Sequence, residues 1–197
     1  MIISMNYRIF LASNSPRRKE LLSGLGIPFE VRVNGDIDES YPSDLPPEAI
    51  PLHISRKKAA AYLQTMSADE LIITADTVVV ASGEILGKPA DASDAHRMLR
   101  LLSGTTHQVI TGVCLTTTDH QVAFSVTTDV TFKDLSDEEI HYYIDHYRPY
   151  DKAGAYGIQE WIGYIGVTGL HGSYFNVMGL PIQRIYEELR KMGCIPF

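Results

Sequence analysis

The chain has 197 residues, of which 45% are hydrophobic, 21% charged and 9% aromatic. That suits one substantial core and excludes a disordered or collagen-like chain. Its 17 Lys and Arg against 24 Asp and Glu give a formal charge of -7, a field that disfavours nucleic acid as a partner and requires a local cluster of cations for any anionic ligand.

Residues 7–12 (YRIFLA) are a short, β-prone apolar run and read as a buried strand. Ser15 can cap a following helix whose first position suits Pro16, with Leu21, Leu22 and Leu25 on one face and Gly26 at its end. A second strand is expected over 29–33, an acidic, Pro-rich loop over 35–51, and a helix over 52–66 that carries Arg56, Lys57 and Lys58. Residues 71–80 (LIITADTVVV) form the most hydrophobic strand, which Ser82, Gly83 and Glu84 turn into ILGKP. A helix over 91–102 places Ala95, Met98, Leu99 and Leu102 at helical spacing and closes at Gly104. Strands over 107–117 and 122–132 join as a hairpin at Asp119 and His120, and Ser136 with Glu139 forms a capping box for a helix ending at His146. The Gly-rich stretch 150–159 leads to a strand expected over 161–168, and Pro181 opens a last helix with Ile182, Ile185, Tyr186, Leu189 and Met192 on one face and Gly193 at its end. The alternation predicts a single α/β domain over 1–197, with a mixed twisted sheet and flanking helices, because the hairpins exclude an all-parallel sheet.

Three features could carry chemistry. The turn at 13–19 (SNSPRRK) combines a helix N-terminus, whose free N–H groups attract anions, with three consecutive cations; it is a ready phosphate grip, against the plainer reading of a solvated basic turn. Asp76 interrupts an apolar strand, where a carboxylate must be paired, bind a metal or face a cleft. Asp36, Asp38 and Glu39 add hard oxygen donors that suit Mg²⁺ or Mn²⁺ rather than zinc, although an acidic loop is usually only solvated.

Other chemistries find no support. Residues 83–89 read G-x-x-x-G-K-P, one residue short of a P-loop and with Pro where the metal-binding hydroxyl belongs, and there is no G-x-G-x-x-G. The seven histidines are scattered, without H-E-x-x-H or a G-x-S-x-G elbow, and His53, His107 and His171 read as structural or exposed. Cys114 and Cys194 stand far apart with no ligand neighbours, against a disulfide framework or structural zinc. The stretch MIISMNYRIFLA has no secretory pattern and no run approaches about 18 apolar residues, so a cytoplasmic protein without a membrane partner is expected.

Six segments in order, ASNSPRRKELL (12–22), ADTVV (75–79), LGKP (86–89), LSGTTHQVITGV (102–113), DKAGAYGIQ (151–159) and VMGLP (177–181), resemble the Maf family of nucleotide pyrophosphatases nearly end to end. DKAGAYGIQ looks like the branch that acts on dTTP and UTP rather than on 7-methyl-GTP. The resemblance implies conversion of a nucleoside triphosphate to monophosphate and pyrophosphate with a divalent cation, Mg²⁺ or Mn²⁺. It also implies an elongated, two-lobed Maf/ITPase-like fold with a central cleft, often as a homodimer. Family positions carry over onto Arg17 and Arg18 beside Ser13 in the basic turn, Lys58, Asp76, Thr77, Lys88 and Gln159. Glu39 matches a metal-binding glutamate, with Asp38 as the alternative.

On that resemblance a metal is expected between Asp76, Glu39 and the phosphates, with Asp76 as the family's general base, a role that competes with metal ligation. Lys58 and Lys88 join Asp76 as catalytic residues. A triphosphate brings about four negative charges, for which two arginines, two lysines and a dication are a fitting counterweight. The Gln159 amide can read O4 and N3–H of uracil or thymine, and flipped it could serve cytosine. A non-catalytic nucleotide sensor linked to cell division is the alternative reading.

Overall fold

The computed structural model describes residues 7–35 and 37–195. Asp36, one of the acidic-loop carboxylates, and residues 1–6 of the stretch searched for a leader lie outside the described residues. The first strand, β1 (Arg8–Leu11), runs into α1 (Pro16–Ser23). Ser15 is extended and its side chain accepts the Arg18 amide, while Pro16 opens the helix, where a missing N–H costs nothing. The helix stops before Leu25, and Gly26 (φ 67°) reverses the chain.

The second strand, β2 (Glu30–Val31), is shorter than expected; both residues are exposed at the sheet edge, so little apolar burial extends it. A 3-10 turn, Pro47–Ala49, feeds α2 (Ile50–Leu63). This helix starts two residues before the expected position because Pro51 fits its first turn. The long strand β3 (Glu70–Ala81) folds back on β4 (Glu84–Leu86) through Ser82 (φ 50°) and Gly83 (φ 80°), two left-handed residues of a tight hairpin turn.

Asp91 caps α3 (Ala92–Leu102), which is followed by β5 (Thr106–Thr116), β6 (Gln121–Phe132) and α4 (Asp137–Tyr147), the last with both bonds of its capping box. The expected strand over 161–168 is instead α5 (Trp161–Gly166) followed by β7 (Val167–His171). Helical spacing explains the change: Ile162 is buried, Trp161 and Ile165 pack on the same core, and Tyr164 is 77% exposed. A short helix, α6 (Tyr174–Val177), precedes α7 (Ile182–Lys191), which buries Ile182, Ile185 and Leu189 as expected, with Pro181 at its N-cap.

The strands make one mixed seven-stranded sheet among the described residues, in the order β2-β1-β3-β5-β6-β7 with β4 on β3; β1 pairs in parallel with β2 and β3, whereas β4 and β7 pair antiparallel. The chain divides into two compact units, one of residues 1–76, 111–126 and 179–197, the other of 77–110 and 127–178. In the first, Phe10, Tyr62 and Ile72 form an apolar cluster, and the buried Glu70 carboxylate takes two guanidinium bonds from Arg32, which hold its pKa down at about 2. In the second, Leu86, Leu99, Leu102, Phe132, Ile140 and Ile162 belong to a large core packed from α3, α4, α5 and the sheet.

Candidate active site

In the first unit, the turn after β1 holds Ser13, whose hydroxyl accepts the Ser15 amide at 3.2 Å and so shapes the turn. Arg17 and Arg18 occupy the first turn of α1, both half-buried. The Arg18 guanidinium donates from Nε to the Gly179 carbonyl and from Nη1 to the Ala75 carbonyl, each at 2.8 Å. Burial lowers its pKa while the nearby Asp76 charge opposes that drift. Arg18 is thereby locked to the residue before Asp76 and to the glycine of VMGLP, where φ of 108° favours glycine.

Asp76 projects from β3 with its side chain 14% exposed, and the Lys58 ammonium from α2 donates to its Oδ1 at 2.9 Å. The same Nζ lies 2.9 Å from Oε1 of Glu39. Burial pushes the Asp76 carboxyl above the usual carboxylate range, against the pull of Lys58 and Arg18. Asp38, the alternative to Glu39, is engaged elsewhere: it accepts from Lys57 Nζ at 2.8 Å and from the Ser40 hydroxyl and amide, bonds that hold its pKa well below normal. The structure thus brings Arg18, Glu39, Lys58 and Asp76 together and directs Asp38 to Lys57.

These donors can be tested against a divalent cation. Carboxylates from two elements already converge on one positive centre, the Lys58 ammonium. Among the described residues no group of three His, Cys, Asp or Glu could hold a metal. The pair therefore fits a hard ion that draws its remaining ligands from phosphate and water, as Mg²⁺ commonly does.

In the second unit, Thr77 continues β3 and is half-buried, and Lys88 is exposed just after β4. The Gly87 carbonyl accepts the Gly154 amide at 3.0 Å, which ties LGKP to DKAGAYGIQ. That second loop is tightly determined. Gly154 (φ 68°) and Ala155 (φ 57°) are both left-handed, and a Cβ on Gly154 would meet Val79 Cγ2 at 2.9 Å. Tyr143 Oη accepts the Gly157 amide and bonds the Glu160 carboxylate, which Lys152 also contacts at 3.1 Å. Gln159 sits inside this frame with its Oε1 enclosed and lacking a hydrogen-bond partner. Sequence reasoning assigned no role to Gly179, Tyr143, Lys152 or Glu160; only the Gly-rich texture of the loop hinted at the frame.

A model of the Maf-like protein family matches residues 8–192. The chain belongs to the Maf family. All six resembling segments lie inside that match, so Maf membership covers both units. A protein of Phocaeicola vulgatus named dTTP/UTP pyrophosphatase is 65% identical over 94% of this chain and 96% of its own length. One of Parabacteroides distasonis with the same name is 61% identical over 93% and 95%, and one of Flavobacterium johnsoniae, again so named, is 48% identical over 93% and 94%.

Proposed function

We propose that this chain hydrolyses dTTP and UTP to the nucleoside monophosphate and pyrophosphate. The observation that carries the reading is the Lys58 ammonium held 2.9 Å from both Glu39 and Asp76, with Arg18 beside it, in a chain 65% identical to a dTTP/UTP pyrophosphatase. A half-buried carboxylate with a raised pKa, between mostly apolar, buried strand positions, is costly to keep for binding alone.

In this reading Arg17, Arg18 and the amides at the start of α1 hold the phosphates, and Lys58 and Lys88 offset charge that develops on the leaving pyrophosphate. Water attacks the α-phosphorus, its oxygen forms the new bond as the α,β-bridging P–O bond breaks, and Asp76 receives the proton. Burial favours that step, since a raised pKa makes Asp76 a better proton acceptor. Glu39 and Asp76 are the residues that would hold Mg²⁺ or Mn²⁺, and such a cation supplies phosphate neutralisation and a more acidic bound water. Gln159 and Thr77 contact the base, the unpartnered Oε1 of Gln159 accepting from N3–H of uracil or thymine. The reading also carries a homodimer, checked by light scattering, and a cytoplasmic location, checked by fractionation.

Pyrophosphate release from dTTP, UTP, CTP and the purine triphosphates, measured with Mg²⁺ and with Mn²⁺ for the wild type and Asp76→Asn, tests the proposal. Turnover of dTTP and UTP that Asp76→Asn abolishes supports it. Binding with no turnover under either metal sinks it and leaves a nucleotide sensor.

A further inference from the structure

The Lys58–Asp76 contact joins a helix to a strand, and something must fix how far one has slid along the other. One helical turn before Lys58, Ser55 is completely buried on α2; two residues before Asp76, Thr74 is completely buried on β3. Spacings of three on a helix and two on a strand keep each pair on one face. The Ser55 hydroxyl donates to the Thr74 carbonyl at 3.0 Å, the Thr74 hydroxyl donates to the Ser55 carbonyl at 2.8 Å, and the two hydroxyl oxygens lie 3.0 Å apart. Three helical residues rise about 4.5 Å and two strand residues about 6.6 Å, so the Ser55–Thr74 and Lys58–Asp76 contacts are nearly parallel rungs between the same two elements. The lower rung is dry and reciprocal, with each side chain bonded to the other's backbone; the upper one is the charge pair.

A second device seats the start of the same helix. A Cβ on Gly112 of β5 would lie 2.3 Å from the Leu52 nitrogen and 2.4 Å from the Pro51 carbonyl carbon. The absence of a side chain there lets the first turn of α2 rest directly on the strand backbone.

We propose that Ser55 and Thr74 are positioning residues that set the register of α2 on β3 and thereby place the Lys58 ammonium on Asp76, a role that rests on the pyrophosphatase reading for its effect on rate. A buried hydroxyl pair is well suited to fixing register, because each bond is directional and sliding either element would leave both buried hydroxyls without a partner. Apolar packing has no such penalty for a small slip.

The test uses Thr74→Val, which keeps shape and loses the hydroxyl, Thr74→Ser, which keeps the hydroxyl, and Ser55→Ala, each checked for folding by thermal melt. Thr74→Val and Ser55→Ala are expected to lower kcat roughly ten-fold with KM within about two-fold, and Thr74→Ser to recover most of the loss. In a Lys58→Ala background Thr74→Val is expected to change kcat less than about two-fold, because the group it positions is gone. Equal kcat in Thr74→Val and wild type, or losses that multiply in the Lys58→Ala background, overturns the proposal. Crystal structures of wild type and Thr74→Val give a reading independent of turnover: the Lys58 Nζ to Asp76 Oδ1 distance should open beyond about 4 Å in the variant, the usual limit for an ion pair, and an unchanged distance rejects the proposal even if the pyrophosphatase reading itself fails.

Discussion

The two groups of candidate residues are held in opposite ways. Around Asp76, buried polar groups answer one another: Ser55 and Thr74 bond reciprocally, Lys58 bridges two carboxylates, and Arg18 donates to two carbonyls. Around Gln159, the backbone takes consecutive left-handed residues at Gly154 and Ala155, and buried polar atoms are left over, Oε1 of Gln159 and Nδ1 of His107. The difference teaches a division of labour. The Asp76 cluster is preorganised by its own bonds, so under the proposed function little reorganisation would be needed when phosphate binds. If, as proposed, the Gln159 loop reads the base, it gains by keeping a good acceptor unsatisfied, since a base that lacks the matching donor then leaves a buried group without a partner.

Asp76→Asn should break the first side most strongly. Loss of roughly 10² to 10⁴ in kcat is expected in a pyrophosphate-release assay. Its stability should move the other way: a carboxyl raised above its unfolded value binds more protons in the folded state, so folding is disfavoured as pH rises through that window, and the ionised group destabilises the fold at neutral pH. Asp76→Asn should therefore melt no lower than wild type at about pH 7; a clear fall would show that the carboxylate is structural.

On the second side, His107 is held neutral by burial, with its pKa depressed to about 4, and its Nε2 lies 2.7 Å from Tyr156 Oη. The unfolded chain takes up the proton first, so stability is complete above pH 6.5 and falls by roughly 3 kcal/mol in all as pH drops toward 4. Urea melts across that range should show the slope, and His107→Gln should flatten it. Gly154→Ala should cost roughly 2 kcal/mol, from its left-handed φ and the contact with Val79, and raise KM, as melting and steady-state kinetics would report. The smallest effect is Gln159→Ala, about ten-fold in KM for dTTP and UTP with kcat nearly kept. Equal losses in kcat would move Gln159 from base reading into the chemistry.

Much of the site was legible in residue types. The SNSPRRK turn stood out as a candidate anion grip because a cap, a proline and cations coincide, and Asp76 stood out against its apolar neighbours. Glu39 could not be chosen over Asp38 from spacing, because both lie in a loop without periodicity; in the structure Asp38 bonds Lys57 and Ser40, whereas Glu39 pairs with Lys58. The strand expected over 161–168 failed because a short apolar run with two glycines fits both periods, and only the packing of Trp161, Ile162 and Ile165 on one core selects the helix.

By itself the sequence determined the local signals: the capped turn before α1, the capping box of α4, the β3–β4 turn and the alternation that requires a mixed sheet, all set by the preferences of a few neighbouring residues. The tertiary structure alone decided which charges meet. Lys58 and Asp76, Arg18 and Gly179, and Ser55 and Thr74 are distant in sequence, and their contacts follow from how helices seat on a strand or on a distant turn, a packing outcome that no local pattern encodes.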